Sequence, residues 1–233
     1  MRPRLAQQPT MSSPIQPDLP GILVALPEEL GSLAERSVET KRVQGLEVLV
    51  LELEGGFRAL ACVGGVGKVM AARAAALLFS EGADGLLVCG VGGGLHHDLK
   101  PGTLVHCQRA IQRDLAVRRG RETEPTPEWL AAWEREASGP RATYLTADRA
   151  VFHPVRSWLV TRGRSEACLA DMETAAAAAV AAQAGLPWAA LRAVTDQPSL
   201  KATRTFHEHF ATQAGRAAST VPGLLRSLAG VSD

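Results

Sequence analysis

Two runs of this chain, residues 21–26 (Gly-Ile-Leu-Val-Ala-Leu) and 85–89 (Gly-Leu-Leu-Val-Cys), are apolar at every position. A strand that faces water on one side alternates polar and apolar residues, whereas an unbroken run belongs to a strand covered on both faces. A third run, 188–194, has the same character apart from Arg192. Helical stretches separate these strands: an alanine-rich one at 69–80 and another at 171–184 that closes on Gly185. Strand and helix alternating in this way predict an α/β fold.

Elsewhere the pattern is coarser. Residues 46–53 and 57–63 flank Glu54-Gly55-Gly56 and read as a β-hairpin. Pro27-Glu28-Glu29 starts a helix after the first strand, the glycines at 90–94 end the strand before them, and 99–106 reads as a strand. Residues 109–141 read as a solvated loop with one short helix near 127–137. Trp129 and Trp133 are spaced to pack that helix onto the body, while Trp158 could line an apolar channel. A strand at 143–146, a helix at 151–161 and a last helix at 206–228 complete the pattern. Residues 1–18 carry Pro, Gln and Ser without the apolar segment of a signal peptide and predict a disordered tail, leaving one domain over 19–233.

With 233 residues and 46% hydrophobic content, the chain can bury one substantial core. A net charge of +1 gives no global reason to expect nucleic acid or an anionic membrane as partner. The longest apolar run, 174–186, is too short to span a bilayer, so no stable membrane association is expected. Cys62, Cys89, Cys107 and Cys168 form no C-x-x-C pair, which points to reduced thiols in a cytoplasmic protein. His96-His97 and His207-x-His209 show no carboxylate or cysteine partner at ligand spacing, so no metal is expected.

Two glycine loops invite nucleotide-cofactor readings, and both fail in detail. A P-loop ending at Gly67-Lys68 needs glycine at position 62 and a hydroxyl at 69, where Cys62 and Val69 stand. A dinucleotide fingerprint from Gly65 and Gly67 meets Met70, and one from Gly90 and Gly92 meets Leu95. No cofactor is expected. What remains is close approach of backbone to a ligand, or plain tight turns between helix and sheet.

The acids point more sharply. Asp171-Met172-Glu173-Thr174 opens a helix, and the strand after it ends on Arg192-Ala193-Val194-Thr195-Asp196, so carboxylates and a guanidinium meet where strands give way to loops. In α/β proteins that edge binds ligands. Each residue also has a plainer reading: Asp196 as a helix cap or loop ion pair, Glu173 as a first-turn glutamate, Met172 as core. A buried Arg192 needs a carboxylate under either reading.

Taken in chain order, the pieces resemble the nucleoside phosphorylase/nucleosidase superfamily, closest in pattern to 5′-methylthioadenosine/S-adenosylhomocysteine nucleosidases. The pieces are Ala25-Leu26-Pro27-Glu28-Glu29, Gly65-Val66-Gly67-Lys68-Val69, residues 89–95 (Cys-Gly-Val-Gly-Gly-Gly-Leu), residues 99–105 (Leu-Lys-Pro-Gly-Thr-Leu-Val), Asp171-Met172-Glu173 and Arg192-Ala193-Val194-Thr195-Asp196. The resemblance implies a three-layer α/β/α fold with a central mixed, mostly parallel twisted sheet. It also implies an enzyme that cleaves an N-ribosidic bond of a small-molecule nucleoside, and a homodimer by analogy.

By the same resemblance Glu29 activates water and Asp196 protonates the leaving purine. Glu173 clamps the ribose hydroxyls over Met172, and Arg192 orients Glu29 or Glu173 by a bidentate bond. Val91, Gly92, Ala150, Val151 and Thr195 line the substrate, and Phe206, one helical turn from Phe210 on the last helix, reads from its spacing either as a cap over the site or as an anchor of that helix. Phosphorylases of the superfamily hold phosphate with arginines where this chain has Leu26-Pro27 and Val88-Cys89, so water is the expected nucleophile. The family's loop serine is Val91 here, and the aromatic that flanks the purine is replaced in Thr146-Ala147-Asp148-Arg149-Ala150-Val151. The expected reaction is adenine release from a 5′-substituted adenosine. The alternatives are an adenosylhopane nucleosidase or phosphorylase, a purine nucleoside phosphorylase, a futalosine hydrolase, or a nucleoside sensor on the same fold.

Overall fold

In a computed structural model, residues 16–117 and 121–230 are described. The chain passes through β1 (Pro20–Val24), a 3-10 segment (Pro27–Arg36), β2 (Ser37–Val43), β3 (Leu46–Glu52), β4 (Arg58–Val63), α1 (Lys68–Ser80), β5 (Gly85–Gly94) and β6 (Leu104–Gln112). It continues through β7 (Glu122–Thr123), α2 (Pro127–Glu136), β8 (Arg141–Thr146), α3 (Pro154–Thr161), β9 (Cys168–Asp171), α4 (Thr174–Ala184) and β10 (Trp188–Asp196). α5 (Ala202–Gln213), two short 3-10 turns and α6 (Val221–Leu228) finish it.

The strands form one sheet in the order β10-β6-β8-β9-β5-β1-β4-β3-β2, and β10 also pairs with β5, so part of the sheet curls back on itself. β1, β4, β5 and β10 run parallel to one another, and the antiparallel β2–β3–β4 meander forms one edge. The unbroken apolar runs follow from which way alternate residues point. Leu23, Leu86, Val88 and Ala190 enter one core layer, while Ile22, Val24, Leu87, Cys89 and Leu191 enter the other. α1 and α4 close the first layer with largely alanine faces, which bring the helices close to the sheet. α2 and α6 close the second, where Trp129 and Trp133 are fully buried. The result is a three-layer α/β/α fold.

Several elements differ from the sequence expectation. β2 carries polar or charged residues at most positions and lies exposed at the edge, so it has no apolar signature to read. The glycines at 90–94 do not end β5. They stay in the strand because Gly93 and Gly94 pair with β9 and the Asp196 end of β10 lies beside Gly93. The strand expected at 99–106 is shifted to β6, which carries Arg109 out of the expected loop. The single last helix is broken between α5 and α6 because a Cβ at Gly215 would lie 2.6 Å from Gly31 Cα, so two backbones touch there. Of the expected tail, residues 1–15 lie outside the described residues. Pro17 is buried, and Asp18 donates its N–H to Asp84 Oδ2 at 2.6 Å. Among the described residues no helix is long and apolar enough to cross a membrane.

Candidate active site

β5 and β10 run on past the end of β1, and the start of α4 and the segment between β8 and α3 face this edge across a cavity of ≈ 130 Å³. The residues expected at the catalytic and substrate positions all line it: Glu29, Val91 and Gly92; Ala150 and Val151; Met172 and Glu173; and Arg192, Thr195, Asp196 and Phe206, whereas Trp158, expected to line an apolar channel, stands outside it. Segments up to 177 positions apart in the chain, from Glu29 to Phe206, therefore meet at one place.

Arg192 organises the floor. It is 1% exposed, and a guanidinium so buried requires anionic partners. Its Nη2 lies 3.1 Å from both Asp171 Oδ2 and Glu173 Oε2 and donates to Thr174 Oγ1, while Nη1 donates to the Val91 carbonyl and stands 3.9 Å from Glu29 Oε1. The bidentate fork expected on one glutamate is absent. The planar guanidinium instead spreads over separate acids, because they arrive from different elements around its edge. Asp171, which the sequence reading left without a role, is among the two nearest. Its Oδ2 also accepts the Thr174 N–H at the start of α4, and Oδ1 takes the Thr146 hydroxyl.

Backbone N–H groups fix the other two acids. Glu29 Oε2 accepts from Ala25 and Leu26 at 2.8 and 3.0 Å, and Oε1 from Val91 at 2.9 Å. Val91 thus contributes its backbone, and valine in place of serine leaves those contacts intact. Glu173 Oε1 accepts the Gly67 N–H at 3.0 Å, drawing the start of α1 to the start of α4. Burial pushes the Glu173 carboxyl up, opposed by Arg192 and reinforced by Asp171.

Glycine is required where β5 passes this floor. A Cβ at Gly90, whose φ is +149°, would lie 2.3 Å from Glu29 Oε1 and 2.7 Å from Arg192 Nη1. Gly56 also has a positive φ, +79°, but nothing within 4 Å of its Cβ position. Gly90→Ala should therefore lose about 1–3 kcal/mol more than Gly56→Ala, the cost of overpacking. Paired thermal denaturation of the two variants measures it, and equal losses would mean that the floor yields freely.

Asp196 stands opposite at the end of β10. It neither caps a helix nor pairs with a cation within ion-pair distance among the described residues. Oδ1 accepts the Thr195 hydroxyl at 2.8 Å, and the buried Oδ2 has no hydrogen-bond partner. Burial raises this carboxyl to about 6, against the lowering effects of Thr195 and of His209 on α5. An acid that gives up its proton near pH 6, well above the usual carboxylate range, and keeps one oxygen unpaired is suited to proton donation.

The remaining wall is aromatic. Phe206 and Phe210 have ring centroids 5.4 Å apart, and Phe152 meets Phe206 edge-on at 6.2 Å. Residues 147–151, which follow β8, contain no aromatic, but the next residue supplies one. Phe152, one position on, lines the cavity. The histidine reading also needs correction: His96, His97 and the overlooked Asp98 bring ligand atoms within 4.8 Å of one another on an exposed turn.

Residues 21–229 match the family profile described as the phosphorylase superfamily. A 5′-methylthioadenosine/S-adenosylhomocysteine nucleosidase of Geobacillus thermodenitrificans (strain NG80-2) is 28% identical over 224 residues, which cover 88% of this chain and 94% of that protein. The nucleosidase of that name from Neisseria meningitidis, solved in complex with methylthio-immucillin-A, superposes with a TM-score of 0.82 at 25% identity, covering 90% of this chain and 99% of the other. The futalosine hydrolase of Helicobacter pylori strain 26695 also superposes with a TM-score of 0.82, over 89% of this chain and 97% of its own, but at 19% identity that likeness is one of fold.

Proposed function

The chain belongs to the phosphorylase superfamily, and from that premise we propose that its cavity binds a 5′-substituted adenosine and hydrolyses the N-ribosidic bond to release adenine. The observation that carries this reading is the unpartnered Asp196 Oδ2 facing a floor of carboxylates gathered on Arg192. Purine is a poor leaving group until protonated, and the sugar it leaves gathers positive charge. Asp196 gives its proton to N7 as the bond from C1′ to N9 breaks, and the bond's electron pair stays with the base. Glu29 accepts a proton from water as the water oxygen joins C1′. Each carboxylate oxygen accepts about two hydrogen bonds, so Glu29 Oε1, holding the Val91 N–H, keeps capacity for that water. Glu173 accepts from the ribose hydroxyls, and its negative charge offsets the charge developing on the sugar.

Phosphate suits this cavity poorly as nucleophile. Arg192 is the one cation among the lining residues, and its donors already serve Asp171 and Glu173. A phosphate dianion would meet uncompensated carboxylates. The aromatic wall of Phe152, Phe206 and Phe210 favours an apolar 5′ group, since a zwitterionic tail would lose its hydration there without gaining partners. A lipid-like 5′ substituent, as on adenosylhopane, is the second reading on that same wall. We also read the protein as a homodimer, on family likeness, acting in a reducing cytoplasm, which suits four buried free thiols.

The test is incubation with methylthioadenosine and with S-adenosylhomocysteine, with and without phosphate. Adenine and free 5-substituted ribose should form at rates independent of phosphate, with kcat/KM higher for methylthioadenosine. A ribose 1-phosphate product would overturn the choice of nucleophile. An equal or higher value for S-adenosylhomocysteine would overturn the apolar 5′ pocket.

A further inference from the structure

α3 buries none of its residues fully, and Val155, Trp158 and Leu159 stand 58%, 60% and 52% exposed. Their spacing of three and four positions puts them on one face of the helix. The opposite side is anchored by Val160, which packs against the Ile111, Leu145 and Cys168 cluster, so the apolar face points away from the body. Leu200, 88% exposed, stands on the neighbouring turn, which is tied to the α3 approach by Ser199 donating its N–H to the Phe152 carbonyl at 3.0 Å. Isolated exposed apolar residues are ordinary, but an aromatic and aliphatic cluster on one short helix calls for a partner.

The charge around the cluster says which partner. Residues 149–164 contain Arg149, Arg156, Arg162 and Arg164 and no acid, in a chain whose total charge is only +1. Arg164 pairs with Glu166, whereas Arg149, Arg156 and Arg162 have no carboxylate within ion-pair distance among the described residues. Arg162 lies over the Trp158 ring at 5.3 Å. Beside them, the buried Nε of Arg113 has no partner, and burial and the neighbouring Arg156 lower Arg113 from its ordinary value. Tryptophan with aliphatic neighbours, ringed by unpaired guanidinium groups, matches the boundary of an anionic bilayer, where rings sit at headgroup depth and phosphates meet the cations.

We propose that α3 and the Leu200 turn dock the protein reversibly on an anionic lipid surface, through Val155, Trp158, Leu159 and Leu200 with Arg162 on the headgroups. The global charge hides this because the cations are concentrated on one helix and its approach. Docking goes beyond the catalytic reading and holds whichever nucleoside the cavity takes, although Phe152 lines the cavity and stands two residues before the helix, so the mouth of the site would lie near the lipid.

The experiment is co-sedimentation of the full chain with phosphatidylcholine vesicles and with phosphatidylcholine–phosphatidylglycerol vesicles, alongside light scattering of the free protein. Binding to the anionic vesicles should exceed binding to the neutral ones by about tenfold or more, and Trp158→Ser with Leu159→Ser should lower it by a similar factor. Arg162→Gln should lower the preference for anionic lipid by about fivefold while leaving thermal stability near that of the parent. Absence of binding to anionic vesicles, or unchanged binding in the Trp158→Ser, Leu159→Ser variant, would overturn the proposal. So would a dimer that this variant dissociates, since the face would then be an interface between two copies.

Discussion

Replacing Asp196 by asparagine is expected to lower kcat by roughly 10²–10⁴, the usual loss on removing a general acid, while nucleoside binding persists. The asparagine keeps the shape and still accepts the Thr195 hydroxyl that now reaches Oδ1 at 2.8 Å. Its amide would fill the place of Oδ2 and offer a hydrogen bond to the purine, but no transferable proton. Turnover in the parent should decline as pH rises through about 6, because the acid is protonated below that value and not above it. The variant should lack that limb. Stability gives an independent check with a defined sign. A carboxyl whose folded pKa is raised binds its proton more tightly when folded, so stability falls as pH climbs from the ordinary value of 3.8 to about 6 and stays lowered above it. Asp196→Asn should relieve this cost, on the order of 2–3 kcal/mol near neutral pH, and should gain nothing at acidic pH. A variant with parental turnover, or one destabilised at neutral pH, would contradict the assignment.

How much of this was legible before the fold was known depends on whether a feature is written in one segment or in the meeting of several. Ile22, Leu23 and Val24 announce a doubly covered strand by themselves, because each face of the sheet takes alternate residues. The helix end at Gly185 is equally local, since its φ of +68° is left-handed and glycine suits it. β2 was invisible for the opposite reason: an exposed edge strand of charged residues carries no burial pattern. In the site, Glu29, Glu173 and Asp196 take roles from motif resemblance, whereas Asp171, part of the same Asp-Met-Glu motif, takes none. Its pairing with Arg192 and Thr146 depends on β8, β9 and β10 arriving together, and no spacing in the chain encodes that. Phe152 lies two positions past Ala150 and one past Val151, beyond the segment in which the resemblance places the aromatic. Val91 drew attention through its side chain, whereas its N–H and carbonyl are what hold Glu29 and Arg192.

Arg192→Met should be the most damaging single change to the fold itself. The methionine roughly keeps the length of the side chain and removes the charge, leaving Asp171 and Glu173, with Glu29 nearby, buried around an apolar group. Removing one partner from a buried ion pair costs about 3–5 kcal/mol, a large part of the roughly 5–15 kcal/mol that holds a domain together. Arg192→Lys should recover little, because a single ammonium cannot reach Asp171, Glu173, Thr174 and the Val91 carbonyl from one position. The loss should depend on pH in a direction the geometry sets. The arginine stabilises charged carboxylates, so its removal hurts most where they are ionised and least in acid, where protonation removes their mutual repulsion. The melting temperature of Arg192→Met should therefore lie far below the parent's near neutral pH and approach it as pH falls toward the carboxylate range. Adding Glu173→Gln to Arg192→Met should restore part of the neutral-pH loss, since burial already pushes that carboxyl up and the amide carries no charge to strand. A pH-independent loss, or no recovery in the double variant, would mean that Arg192 acts through packing and its bond to Val91, and not as the counterion of the acids.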